Sequence, residues 1–244
     1  MSILHVAARR QSLNLHLMWF ALVACASAQT ERTVPSAQTI VNRMVRAQDE
    51  NRVRYRPYMV TREYKLSAKT ADKSQVTADV TFVPPDVTLY TIRQTTGSGL
   101  GGKVVRRMLE TEAEVVKDYA STGIMPDNYD FRFVREEELN GQQCYVLQLL
   151  PKRKDKNLIR GNAWVDANTY LLHRLEGEPA KTPSFWLRDV HVTLVYGDVE
   201  GMWLSTALKA TATVRMFGQY GMDSRDLNYK FRELVATVST SQAK

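Results

Sequence analysis

The side chains that could carry out a reaction are few, and their spacing argues against one. Beyond residue 28 the chain has two histidines, His173 and His191. Each stands in a strand-like run with no cysteine or carboxylate at metal-ligand spacing, so no metal centre is expected. Asp189 and His191 could be written as a proton relay. Residues two apart in a strand share a face, however, and an exposed polar face ordinarily carries such pairs. No G-x-S-x-G nucleophile elbow occurs. Glu136, Glu137 and Glu138 run together beside a turn and read as a solvated strand end rather than a glycosidase pair. Cys144 falls within an apolar run and reads as a small buried hydrophobe, not a reactive thiol. The glycine-rich stretch 97–102 precedes a helix as a phosphate cradle would. It lacks the Walker pattern and a parallel βαβ setting, so it reads as a flexible hinge. No catalytic residue and no cofactor is expected, and the enzymatic alternative is confined to a hydrolase of unrecognised type.

Binding chemistry is better represented. Trp164, Trp186, Trp203, Phe217 and Tyr220 are candidates to line or rim an apolar cavity, together with Leu194, Met202 and Leu204 from strand-like runs. Residues 151–157 include Lys152, Arg153, Lys154 and Lys156. That cationic connection suits a solvated loop, or a contact with anionic lipid headgroups or an acidic partner.

The elements that must position these residues are mostly strands. The central stretch, IRGNAWVDANTYLLHRLEG over 159–177, reads as an antiparallel hairpin turning at Asp166-Ala167-Asn168-Thr169, because short polar side chains bond their own backbone there. Ala163, Val165, Leu171 and Leu175 are placed on one face, and Trp164, Asp166, Tyr170 and Arg174 on the other. Before it, Ile40, Val41, Met44 and Val45 form the apolar stripe of a helix that starts near Ser36. Alternation predicts strands over 58–67, 76–83 and 87–95, with Pro84-Pro85 interrupting the last two. A helix over about 103–119 follows, then strands over 129–137 and 143–150 around Asn140-Gly141, the strongest hairpin signal in the chain. Further strands are predicted over 185–196, from Met202 to Met216, and over 226–234. Two or three helices and about ten strands, mostly joined by short turns, favour a mainly β fold: one strongly curved antiparallel sheet with helices against its concave side.

The N-terminus predicts export. Arg9 and Arg10 precede the apolar run 13–24, and small residues follow, in the order of a secretory signal too short to span a bilayer. Ala26-Ser27-Ala28 before Gln29 suits ordinary signal peptidase, giving a periplasmic protein. Leu22-Val23-Ala24-Cys25 suits instead a lipoprotein signal that would anchor the chain through Cys25. The domain reading is a signal over 1–28, a single domain over 29–238 and a frayed polar tail over 239–244. The net charge is +7 and falls to +5 when Arg9 and Arg10 are removed. With so mild an excess, an export signal and no dense basic helix, no nucleic-acid partner is expected.

Taken together, the order of elements, the stretches RGNAWVD, YLLHRLEG and YGDVEGMWL, and the long strand after them are similar to the LolA/LolB-like family of outer-membrane lipoprotein-sorting proteins. The likeness spans roughly residues 34–234 and rests on pattern. It implies an unclosed β-barrel in which helices cover a hydrophobic cavity for lipoprotein acyl chains, and an envelope transporter or receptor as partner. Members of the fold also act as envelope-stress sensors, so a regulatory or structural protein meeting a protein partner is the alternative.

Overall fold

The computed structural model describes residues 34–68 and 71–231. The expected export signal, Cys25 and the polar tail lie outside the described residues. Helix α1, Ala37–Val53, starts where predicted: Ser36 caps it by accepting a hydrogen bond from the Thr39 amide at 3.2 Å. Its predicted stripe is buried, with Ile40, Val41 and Met44 facing the sheet.

Strands β1 (Tyr58–Ala68), β2 (Ala71–Val83) and β3 (Val87–Gly97) form a meander. Helices α2 (Leu100–Lys117) and α3 (Tyr119–Thr122) follow. A second meander then runs through β4 (Tyr129–Leu139), β5 (Gln142–Pro151), β6 (Ile159–Asp166), β7 (Leu172–Pro179), β8 (Leu187–Val199), β9 (Met202–Val214) and β10 (Gly218–Lys230). The ten strands form one sheet in the order β3-β2-β1-β10-β9-β8-β7-β6-β5-β4, and β1 joins the meanders by pairing with β10. Every pairing is antiparallel, and β3 and β4 are left as the two edges. This is the mainly β, unclosed architecture that the alternating runs predict.

Two helices divide the inner face into two cores. Ile40, Val41 and Met44 of α1 pack with Tyr145, Leu147, Leu149, Ala163, Val165, Leu172 and Leu175 on β5–β7. Val105 and Leu109 of α2 pack with Val60, Tyr64, Leu66, Val76, Ala78 and Val80 on β1–β2. Cys144 and Val146 lie with Trp164 in a small separate cluster. Their pairing partners alternate with those of the first core, which puts them on the outer face of the sheet.

The central hairpin forms as predicted, with one change of face. Buried Asp166 accepts from the amides of Asn168 at 2.9 Å and Thr169 at 2.6 Å, which sets the turn. Between Trp164 and Val165 the register shifts, so Val165 pairs with Leu172. Leu172, rather than Leu171, therefore reaches the core, and Tyr170, at φ 59, packs against Tyr145. The last strand also differs: it begins at Gly218, not at 226. Its sequence, GQYGMDSRDLNYK, carries two glycines and no apolar alternation to announce it, and it is held by neighbours on both sides.

The glycine-rich stretch is a contact rather than a bare hinge. Gly97 has φ 82, and a Cβ on Gly101 would lie 2.5 Å from the Ser74 Cβ. Only a missing side chain lets α2 settle this close to β2.

Candidate functional site

The strip of inner face between the two cores is the candidate site. Cross-strand partners in an antiparallel sheet point to the same side. The row Leu147, Ala163, Leu175, Leu194, Leu208, Ser224, Tyr64 and Val76 can therefore be followed from β5 across to β2. It is buried at both ends, while Leu194 and Leu208 in the middle are half-buried. The next row crosses β8 to β10 as Val192, Ala210 and Met222, and the row beyond it holds Ala212 and Tyr220. All five are half-buried. This floor of β8, β9 and β10 is roughly 10–15 Å wide at the spacing of strands and about 20 Å long from Leu194 to Leu187.

Helices form its walls. On α2, Gly102 faces Thr95 and Glu110 accepts a long 3.5 Å hydrogen bond from Tyr90, both on β3. At 100° per residue the opposite flank, turned toward the floor, carries Val104, Met108 and Val115. On the other side α1 is fastened at the start of β9. The Asn51 carboxamide donates to the Trp203 carbonyl and accepts from the Trp203 amide, each at 2.8 Å. α3 ties the helices together through Tyr119, which lies under the Arg52 guanidinium at 3.7 Å.

A buried ion cluster interrupts the apolar lining below α2. Arg62 donates to Asp226 beside it and to Glu112 of α2 at 2.8 Å, and Tyr229 donates to the same Asp226 carboxylate. Burial works to lower the Arg62 pKa, but Glu112 and Asp226 outweigh it and hold the guanidinium charged. Burial also pushes the Tyr58, Tyr64 and Tyr196 hydroxyls up, so these phenols stay neutral near the floor.

The predicted lining residues separate into four places. Leu194 and Tyr220 belong to the floor. Trp186 and Phe217 lie beyond its end, exposed by 56% and 69%. Met202 and Leu204 are buried near the start of β9, where Trp203 donates from Nε1 to the Leu172 carbonyl at 2.6 Å and meets the His173 ring at a tilt, 4.8 Å between centroids. Trp164 is on the outer face, under the Arg174 guanidinium at 5.0 Å. The cationic connection turns toward the helices: Lys156 bonds Glu114 at 2.9 Å, Arg153 bonds Asn128 at 2.8 Å, and Lys152 donates to the Pro126 carbonyl at 2.6 Å. Lys154 is exposed. Met222 and the α2 flank join the lining only through the pairing of β10 with β9 and β1, which no local sequence pattern announces.

Two clefts of about 200 and 310 Å³ flank α1 near the β6–β7 turn, lined by Arg43, Arg46, Glu50, Arg54 and Thr169 among others. Neither includes the floor residues. His191 sits 3.1 Å from Glu176, and His173 lies 3.6 Å from Asp166. Among the described residues, no three His, Cys, Asp or Glu side chains converge as a metal site would need. The floor can therefore offer contact to a long apolar ligand; beside it Arg62, Glu112, Asp226 and Tyr229 are bonded to one another, while the buried Tyr64 hydroxyl has no hydrogen-bond partner among the described residues.

A family model described as an uncharacterized protein matches residues 101–214. No curated protein sequence matches the chain. Among solved structures it is similar to a DUF1329 family protein from Desulfovibrio piger, at 14% identity and TM-score 0.45 over 82% of this chain and 95% of that one. It is similar to a putative outer membrane lipoprotein-sorting protein domain from Vibrio parahaemolyticus, at 15% identity and TM-score 0.46 over 80% and 94%. It is also similar to a LolA superfamily protein from Nitrosomonas europaea, at 14% identity and TM-score 0.41 over 84% and 97%.

Proposed function

We propose that this chain is an exported, non-enzymatic binding protein that carries an acyl chain along the β8–β10 floor, between the α1 and α2 walls. The observation that supports it is the change of burial along one continuous cross-strand row, largely apolar but for Ser224, covered at both ends and left half-open across Leu194 and Leu208. An apolar strip of this length is on the scale of one bilayer leaflet, about 15 Å of hydrocarbon. Each methylene moved from water onto such a surface contributes about 0.8 kcal/mol, so one chain can be held with little help from polar contacts. The resemblance read from the sequence gives the source of that chain, the lipid of an outer-membrane lipoprotein handed on within the periplasm.

The ion cluster fits a carrier better than a turnover site. Asp226 and Glu112 are both ion-paired to the one Arg62 guanidinium, so each carboxylate is held as the charged partner of a cation rather than poised for proton transfer. Their place below α2 lets the helix seat firmly at one point while its Val104 flank stays open to a ligand.

Native mass spectrometry of protein purified from its own envelope tests the reading. Bound lipid or lipoprotein is the expected result. A chain that is repeatedly empty and copurifies with one protein partner would replace the carrier with the regulatory alternative. The same spectrum reports whether the mature protein starts at Gln29 or at an acylated Cys25.

A further inference from the structure

The floor runs out, at the end away from Asn51, onto a tip made by two adjoining turns. Leu187 pairs with Val214, and Val214 with Gly218, so the β7–β8 connection and the β9–β10 turn lie side by side. Four large apolar side chains project there. Phe185 is 73% exposed, Trp186 56%, Met216 92% and Phe217 69%. Isolated exposed apolar residues are ordinary, but four on two neighbouring turns form a patch.

The tip is held in shape. The Arg215 amide donates to the Trp186 carbonyl at 2.9 Å, and its Nε donates to the Phe185 carbonyl at 2.7 Å. Its guanidinium lies over the Phe185 ring at 4.6 Å, and Phe185 meets Trp186 edge to face. The patch is thus presented by bonded backbone.

Its charge selects a partner. Neither 179–188 nor 211–222 contains an Asp or Glu, while Lys181, Arg188 and Arg215 are all there. Asp189 and Asp223 follow just outside these stretches, and Glu178 just before them. Exposed aromatic and methionine side chains on two adjoining turns, with Lys181, Arg188 and Arg215 in the same stretches, match the headgroup boundary of an anionic bilayer. There Trp and Phe enter the acyl edge and Lys and Arg meet phosphate.

We infer that Phe185, Trp186, Met216 and Phe217 form a membrane-docking tip that seats the open end of the trough on an anionic lipid surface. The inference does not depend on the acyl-chain reading, although the two combine: docking through this tip would let a chain pass between bilayer and floor with little exposure to water.

The test uses the chain from Gln29 onward, which holds the whole compact unit, and vesicles of phosphatidylethanolamine with phosphatidylglycerol. Co-sedimentation is expected, weaker on phosphatidylcholine and weaker at high salt, with a blue shift in emission that Trp186→Phe removes. Met216→Ser/Phe217→Ser should lower vesicle affinity about ten-fold or more, and Lys181→Gln/Arg188→Gln should abolish the preference for anionic lipid. Because all four residues project outward, thermal midpoints should not move, and a fluorescent fatty acid should bind these variants as it binds the parent. Equal sedimentation of parent and Met216→Ser/Phe217→Ser would overturn the inference. So would a concentration-dependent dimer lost in that variant while vesicle binding persists, which would assign the patch to a second copy of the chain.

Discussion

Arg62 and Asp226 are cross-strand partners on β1 and β10, and the guanidinium that neutralises Asp226 also reaches Glu112 on α2. One side chain therefore holds together the two meanders and the helix above them. Arg62→Met leaves the Asp226 carboxylate buried without its cation. The expected loss is about 3–5 kcal/mol in urea unfolding. Arg62→Met/Asp226→Leu should recover most of it, because the deeply buried carboxylate goes with its cation, and Glu112, whose side chain is 34% exposed, can turn to water. A single variant as stable as the parent would show that solvent reaches this carboxylate.

Gly101 lets α2 come close to β2 at Ser74. Gly101→Val would drive a side chain into Ser74, whose Cβ lies 2.5 Å from the position of an added Cβ. Overpacking at such a point costs about 1–3 kcal/mol. The thermal midpoint should fall, and exchange of the α2 amides should rise more than that of the β5–β7 amides. Uniform exchange across both cores would mean that the helix does not move as a unit.

Filling the floor separates ligand binding from folding. Ala210 is half-buried between Val192 and Met222. Ala210→Trp would take space from at least two methylenes of a bound chain, so fatty-acid affinity should fall about ten-fold or more. The melting temperature should stay near that of the parent, since Ala210 is only half-buried and belongs to neither of the two cores. Unchanged affinity would place the ligand elsewhere.

The strands with alternating apolar residues, the α1 stripe and the Asn140-Gly141 turn were legible in the sequence because each is fixed by local chemistry. The Asp166 turn was legible for the same reason. What sequence could not give was the pairing of the first strand with the last, which no local pattern encodes. β10 has its place through β1 and β9 on either side, so its polar, glycine-containing sequence concealed its start. The bulge opposite Leu172 was likewise invisible, and it moved Tyr170 and Leu172 to faces that strict alternation would not assign. Residue type alone marks the aromatic side chains as candidates. Only the register shows that Trp164 lies outside and Trp186 at the end, since tryptophans serve core, rim and outer face alike.

Cys144 should be protected from thiol reagents in the native protein. Burial, with Asp166 and Glu137 nearby, pushes its thiol up to about 11. The neutral thiol is the form that the fold favours. Its contribution is thus present below the ordinary thiol value of about 8.5 and is lost as pH rises through the folded value. At pH 8 a disulfide reagent should react only after urea is added, and Cys144→Ala should lessen the loss of stability between pH 8 and 10.5. Rapid labelling without denaturant would contradict this burial.

The pairing of β1 with β10 has a consequence for how the chain reaches its native state. Strand β1 has its neighbour in the sheet about 160 residues further along the chain, so β10 is synthesised long after it. Until that segment arrives, β1–β3 and the early part of β4–β10 are two separate ribbons, each with an unsatisfied border. Deletion from 218 onward should therefore yield two loosely associated ribbons within one chain, prone to aggregate, and not a shortened version of the same sheet.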